Sequence, residues 1–527
     1  MTHRNFEIST YRHIDISKKN VTTSRLYPLL LLLLLTISAA AQDVVIQRGC
    51  RRGIPRPESM ALRRGAPGGQ PKQVGGDFYH GEHHQLTVLA AFNDRDFKGD
   101  VDATLAQWNL IFNTKNLTEA PFKGSVHDYF YAQSYTLFDL TFDLVYVKVK
   151  GDAKKYASDD YDEKSQYLVE DIMEELKTRD IDWSLYDWDG DGFINQLLIV
   201  YAGQGMNDYD KEKYKDKAMI WPHQWWMSEH RKDFYKSGGW DGTYCDPIPV
   251  TYNDKEYKVD CYCALAELTA NNDYGSFGTI CHEFTHCFGF PDFYNSNKTF
   301  AGPWDLMDYG NYNGDGYCPA GYSSHERWMM GWLTPAELTT NTTITNMPAL
   351  NDNPVAYLIR NDGYDNEYYM VENRQQVGWD SKMPGSGIIV FHIDYDPALW
   401  VSVSDYVNKS TRQHYVPFHA NNNPSTATFL SGYWSYPHNT NNQLTDTSEP
   451  AATLWNANLD GSMVMSKPLT NMAVSNGLAS FDFMGGTAGI EAPISETTAT
   501  GTLLYRMGNI DFIRDAQGQV RKVATRK

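Results

Sequence analysis

The stretch GSFGTICHEFTHCFGFPDFYN (275–295) decides how the chain is to be read. His282 and His286 are four residues apart, so on a helix they share one face and can bind a single zinc ion through imidazole nitrogens. Glu283 projects next to that face, placed to take a proton from a water at the metal. Ile280, Phe284 and Phe288 would bury the helix and hold the histidines rigid. Gly289 follows His286 by three residues, and a glycine there can take the left-handed conformation that reverses the chain. Pro291 stops any helical continuation. Together they can swing Asp292 back toward the metal, where a carboxylate is a good oxygen ligand for zinc.

Downstream, GPWDLMDYG (302–310) fits a tight turn that puts Met307 under the site. Tyr309, two residues on, can hydrogen-bond an oxyanion formed during attack on a carbonyl. A second metal motif lies upstream. Asp187, Asp189 and Asp191 with Gly192 form a DxDxDG loop, whose alternate carboxylates can converge on one calcium ion. Phe193 can add its carbonyl and Asn195 a further oxygen. The twelfth position is Leu198 rather than Glu, so the loop is not a complete EF-hand.

The 527 residues allow two or three domains. Composition is that of a globular protein, 42% hydrophobic and 21% charged. A net charge of −19 argues against nucleic acid as the main partner, because neutralising phosphates needs clustered Lys and Arg. Near the N-terminus an unbroken Leu29–Leu35 run follows basic residues and precedes Ala39-Ala40-Ala41, the pattern of a signal peptide over 1–41. The run is too short to span a bilayer comfortably, and no later segment looks transmembrane. The expectation is an exported protein with no membrane association after the signal is removed. Such a protein can form disulfides. Six of the seven cysteines lie between 245 and 318, a set that allows 15 pairings or buried thiols.

Residues 42–80 are rich in Gly, Pro and Arg and read as a pro-segment or linker. Within it Cys50 could occupy an open zinc position and hold an enzyme latent, or be an odd thiol in a tail. A catalytic domain is expected over 81–335. Strand patterns at 85–97, 135–151 and 197–203 alternate with helical periods at 102–114 and 162–178, which favours an α/β (α+β) sheet. From 336 to 485 short alternating runs such as AYLIR (356–360), EYYMVENR (367–374), SGIIVFHIDY (386–395) and LASFDFMG (478–485) carry an all-β signature. Residues 486–527 read as a polar tail with one strand-like stretch, GTLLYRM, and room for a sorting signal. His80, His83 and His84 read as surface residues, and His223 and His392 receive no role.

HExxHxxGxPD followed by a WDxM turn resembles the immune inhibitor A family of secreted bacterial metallopeptidases, relatives of the metzincins. GSVHDYF (124–130), SYTLFDLTF (134–142), DWDGDGFINQLLIVYAG (187–203), IWPHQW (220–225) and EYYMVENRQQVGWD (367–380) also match in style, so the resemblance covers roughly 85–400. It implies a metzincin-like zinc peptidase domain followed by an all-β C-terminal domain. It further implies that His282, His286 and Asp292 bind zinc and that Glu283 is the catalytic acid/base. Glu267 or Asp305 could stand in for Asp292 as third ligand. The N-terminus departs from the family in showing no recognisable folded prodomain. The function expected is an extracellular endopeptidase acting on proteins or peptides. An adhesion protein with a vestigial zinc helix and a zinc hydrolase of non-peptide substrates are the other classes. The intact set of His282, Glu283, His286, Gly289, Asp292 and Met307 speaks against lost chemistry, and the methionine turn favours peptide substrates.

Overall fold

The computed structural model describes residues 79–157, 164–210, 219–232, 243–275, 277–294, 298–400, 406–408, 411–423 and 434–486. It adds the strand backbones at 51–52, 488–491, 497–498, 501–507, 510–514 and 520–524. The signal peptide, Cys50 and nearly all of the 42–80 segment lie outside the described residues.

The expected alternation of strand and helix is present. Strand β1 (Gly81–Ala91) leads to helix α1 (Val101–Asn113), helix α2 (Val126–Gln133), strand β2 (Phe138–Lys148), helix α3 (Ser165–Leu176) and strand β3 (Leu197–Gln204). A short strand β4 (His223–Trp226) and the hairpin β5 (Ile248–Tyr252) and β6 (Lys255–Val259) precede β7 (Cys261–Leu268). The sheet runs from the Arg51–Arg52 edge through β4, β7, β3 and β1 to β2. The β1–β2, β1–β3 and β3–β7 pairs are parallel, and β4 is antiparallel to β7. Every residue of β3 is buried, as an apolar run inside a parallel sheet must be when both faces are covered.

Helix α2 begins at a capping box. Ser125 Oγ accepts from Asp128 N–H, and Asp128 Oδ2 accepts from Ser125 N–H. The histidine helix, α4 (Phe277–Cys287), packs against β4 and β7 and is buried along its whole length. Phe284 meets Phe130 of α2 and Phe142 of β2 at ring distances of 5.0 and 5.8 Å, and Phe288 meets Phe138 at 5.8 Å. Each such buried phenylalanine contributes ~1.5–3 kcal/mol. This aromatic layer is what makes α4 a rigid platform.

Beyond the short helix α5 (Ser324–Met329) the described chain is mostly strand. Strands β8 (Thr342–Met347), β9 (Tyr357–Asn361), β10 (Tyr364–Arg374), β11 (Gly387–Asp394), β12 (Tyr415–Pro417), β13 (Leu469–Ser475), β14 (Leu478–Phe483) and β15 (Ala488–Glu491) form two sheets. One has the order β12-β11-β10-β9 with Ala336–Glu337 at its edge, and the other the order β13-β14-β8-β15. Alternate residues of facing strands share one core, among them Tyr357 and Ile359, Tyr369 and Val371, Ile388 and Val390, and Phe481 and Phe483. The region also holds the helical turn Pro397–Trp400.

Buried polar and aromatic contacts tie this region to the part of the chain that carries α4 and α5. Buried Arg374 donates to Asp380 at 2.7 Å, to Glu372 at 3.0 Å and to the carbonyl of Gly321 at 3.0 Å. Glu372 in turn accepts from Ser324 N–H at 2.7 Å. Trp379 stacks on Phe277, the first residue of α4, with rings 5.7 Å apart and 1° from parallel.

The tail holds more structure than its one expected strand. Gly501–Met507 pairs with Ile510–Arg514, which pairs with Val520–Ala524, and Thr497–Thr498 completes a four-stranded antiparallel sheet. The added strands IDFIR and VRKVA carry only short period-two alternation, too brief to stand out against polar surroundings.

Candidate metal centre

Helix α4 delivers His282 and His286 to one point, and the turn after it delivers Asp292. Gly289 adopts φ 94°, the left-handed value that reverses the chain, and its N–H donates to His286 O at 2.8 Å. Asp292 Oδ1 then lies 3.0 Å from His282 Nε2 and 3.3 Å from His286 Nε2. All three side chains are almost completely buried.

The remaining ring nitrogens are committed to backbone carbonyls. His282 Nδ1–H donates to Leu306 O and His286 Nδ1–H to Phe290 O, each at 2.8 Å. A ring that donates from Nδ1 presents a lone pair at Nε2. Two lone pairs and a carboxylate oxygen therefore converge at a buried point. Such an arrangement is repulsive unless a positive charge sits at its centre, and a divalent cation meets that need with the donor set zinc prefers. In the metal-free chain a proton meets the same demand for positive charge. Burial opposes protonation of His282, but Asp292, Glu283 and the Leu306 carbonyl outweigh it and raise the ring to about 9. Burial likewise opposes ionisation of Asp292, yet His286 and His282 hold it well below the ordinary carboxylate range.

The alternative third ligands are engaged elsewhere. Glu267 accepts from Lys98 N–H at 2.7 Å and from Gly203 N–H at 2.8 Å, tying the loop before α1 and the end of β3 to β7. Asp305 accepts from Met307 N–H at 2.8 Å and from Tyr415 Oη at 2.7 Å. Among the described residues, the histidine-bearing group able to hold a metal is His282, His286 and Asp292.

The 302–310 turn lies against the site. Leu306 supplies the carbonyl that orients His282, and Met307 O accepts from Phe293 N–H at 2.8 Å. Met307 is fully buried. Glu283 is fully buried beside His282 and exerts a Coulombic pull on that ring. Tyr309 lies with its ring 5.1 Å from Tyr312, whereas the tyrosine ring set against His282 is that of Tyr294, at 6.4 Å. Sequence reading passed over Tyr294 and over the carbonyls of Leu306 and Phe290. Backbone acceptors leave no mark in residue type.

The acidic loop brings Asp187, Asp189 and Asp191 together, one oxygen of each lying within 4.8 Å of the others. Gly190 and Gly192 take φ of 73° and 87° to make the bend. Asn195 Oδ1 accepts from Trp188 N–H at 2.7 Å, so that side chain braces the loop. Lys255 Nζ stands 3.6 Å from Asp187 Oδ2.

The other histidines have structural partners. His84 meets Asp143 at 2.8 Å, His223 meets Tyr262 Oη at 3.0 Å, and His392 meets Glu367 at 2.7 Å. The six described cysteines are thiols. Among the described residues no helix is long and apolar enough to cross a membrane.

Comparison with known proteins finds one family over this part of the chain. Residues 89–333 match the family described as immune inhibitor A peptidase M6, catalytic domain. A stretch of 146 residues is 27% identical to immune inhibitor A of Bacillus thuringiensis subsp. alesti, covering 26% of this chain and 18% of that protein. The alignment thus spans a little under a fifth of that relative's length. Over residues 89–333 this chain is similar to the catalytic domain of the immune inhibitor A peptidases of family M6, a metallopeptidase likeness that its own motif residues carry.

Proposed function

We propose that the protein is an exported zinc endopeptidase that hydrolyses peptide bonds of proteins or peptides. The observation that carries this reading is the convergence of His282 Nε2, His286 Nε2 and Asp292 Oδ1 in a buried site, with both Nδ1 atoms held by carbonyls. These three residues would hold the zinc. When bound, zinc supplies a Lewis acid that polarises the scissile carbonyl and acidifies a water.

The protein's own groups do the rest. Leu306 and Phe290 fix the imidazole tautomers and so the direction of both Nε2 lone pairs. Glu283 accepts the proton of the attacking water and passes it to the leaving amine, a role that suits a buried carboxylate beside the metal ligands. Tyr309 donates to the oxyanion. The aromatic layer under α4 keeps these groups from drifting during the reaction.

In this reading residues 1–41 direct export, 42–80 form a pro-segment, and 81–335 carry the chemistry. Residues 336–485 form a β-rich domain and 486–527 a sorting tail. The acidic loop of Asp187, Asp189 and Asp191, with Asn195, binds calcium and stiffens the approach to β3. The partners are protein substrates, and nucleic acid is not among them. The deciding experiment is casein cleavage by the purified protein with and without a zinc chelator, followed by zinc addition. Cleavage lost on chelation and restored by zinc supports the reading. Cleavage that survives complete zinc removal, or none at full zinc loading, refutes it.

A further inference from the structure

Three cysteine sulfurs meet where the C-terminal end of α4 packs on β7. Cys261 and Cys263 are two residues apart on β7, so their side chains leave the same face of the strand. Cys287 is the last residue of α4. Its Sγ lies 3.7 Å from Cys261 Sγ and 3.8 Å from Cys263 Sγ. It also lies against Gln196 Oε1. All three residues are buried thiols.

A sulfur–sulfur bond needs about 2.05 Å, so small side-chain rotations separate these contacts from a covalent link. Cys287 can bond only one partner. The two candidates differ in what they already do. Cys263 Sγ donates to the carbonyl of Glu283 and to Gln196 Oε1, each at 3.3 Å, and its burial pushes that thiol up to about 11. Those bonds require its proton. Cys261 Sγ instead accepts from Gln224 Nε2 at 3.2 Å, an arrangement that does not need the thiol hydrogen and persists when the sulfur is in a disulfide.

We propose that Cys261 and Cys287 are a disulfide-forming pair that fastens the C-terminal end of the histidine helix to the central sheet, while Cys263 stays a thiol. Each of the two thiols gives up its proton and one electron. Both electrons pass to the disulfide of a thiol–disulfide oxidant, such as glutathione disulfide, which leaves as two thiols. The bond closes the loop 261–287, which contains His282, Glu283 and His286. Closing it removes conformational freedom from the unfolded chain and pins the end of α4 one residue from His286. The inference concerns the thiols alone and stands whether or not the chain cleaves peptides.

The test uses the purified full chain equilibrated with glutathione disulfide or with a reductant. Non-reduced digests are read by mass spectrometry and melting temperature is recorded in parallel. The expected result is a linked Cys261–Cys287 peptide pair after oxidation and a melting temperature roughly 3–5 °C above that of the reduced protein. Cys261→Ser should abolish that shift and Cys263→Ser should retain it. Full alkylation of Cys261 and Cys287 after oxidation, a Cys263–Cys287 link in their place, or an oxidation shift that survives Cys261→Ser would each overturn the proposal. The linkage is read on the wild-type chain, so it does not depend on any variant folding.

Discussion

His282 donates from Nδ1 to the carbonyl oxygen of Leu306 at 2.8 Å, across 24 residues of chain. That one bond joins the HExxH helix to the methionine turn. It sets the tautomer of the first histidine, and the Phe290 carbonyl does the same for His286. The two Nε2 lone pairs meet the Asp292 carboxylate because backbone carbonyls aim them there.

The division of labour at the site predicts separable losses. Glu283→Ala should lower casein cleavage by at least about a hundredfold, the usual range for removing a general base, while zinc content stays at one per chain. Asp292→Ala should instead weaken zinc binding by at least about tenfold, read by competition with a chromogenic chelator. Asp305→Asn should leave zinc affinity unchanged, because both Asp305 oxygens serve Met307 and Tyr415. Undiminished cleavage by the Glu283 variant would remove that residue from the chemistry. Unchanged zinc affinity in the Asp292 variant would remove it from the ligand set.

Much of this was legible in the residues, for reasons that can be named. The i, i+4 histidines, Gly289 and Pro291 act through local geometry, and a short motif records local geometry fully. β3 was visible because LLIVYAG is apolar throughout. β7, the strand that carries α4, was not. In CYCALAEL only Tyr262 clearly favours strand, against Ala, Leu and Glu that favour helix. Its neighbours β3 and β4 decide its form. α2 is too short for its hydrophobic period to mark it, and the Ser125–Asp128 spacing of a capping box is the signal of its start. The third ligand stayed open between Asp292, Glu267 and Asp305, because which carboxylate reaches the histidines is a matter of tertiary packing.

The close approach of α4 to the loop after the methionine turn predicts a steric test. A Cβ placed on Gly278 would lie 1.8 Å from the carbonyl oxygen of Asn311, and Gly278 N–H donates to Gly316 O at 2.7 Å. Backbone must move to admit even one methyl group. Gly278→Ala should therefore destabilise the protein by about 1–3 kcal/mol, measured by urea unfolding. It should also loosen zinc binding, since the same loop packs on the first turn of the helix that carries both histidines. A variant as stable as the wild type would show that the 310–316 loop yields freely.

Asp308 predicts a pH dependence. Its Oδ2 accepts from Phe300 and Ala301 N–H at 2.7 and 2.8 Å. Burial nevertheless pushes the carboxyl from an ordinary 3.8 up to about 7, with Asp305 adding to the rise. The fold thus favours the neutral acid. Its contribution is complete below the unfolded-state value and is lost as pH rises through about 7. Asp308→Asn keeps an acceptor and cannot ionise. Relative to the wild type it should gain roughly 4 kcal/mol of stability in urea between pH 3.5 and pH 8, with more than half of that gain falling above pH 5. Parallel pH profiles for the two proteins would show that Asp308 does not carry this dependence.

The acidic loop predicts a response to calcium removal. Asp187, Asp189 and Asp191 place one oxygen each within 4.8 Å of the others, and burial raises the Asp187 carboxyl while Lys255 partly offsets the crowding. A lysine at 3.6 Å screens one of three clustered charges, so the loop gains by taking a cation. At a calcium concentration about a hundred times its dissociation constant, bound calcium stabilises the fold by ~2.7 kcal/mol. EGTA should then lower the melting temperature by a few degrees, and excess calcium should restore it. Asp189→Asn should melt at the lower temperature with or without EGTA. Lys255→Gln should bind calcium more tightly, because it removes the competing charge. A melting temperature indifferent to EGTA in the wild type would leave the loop as an acidic turn that caps β3 and nothing more.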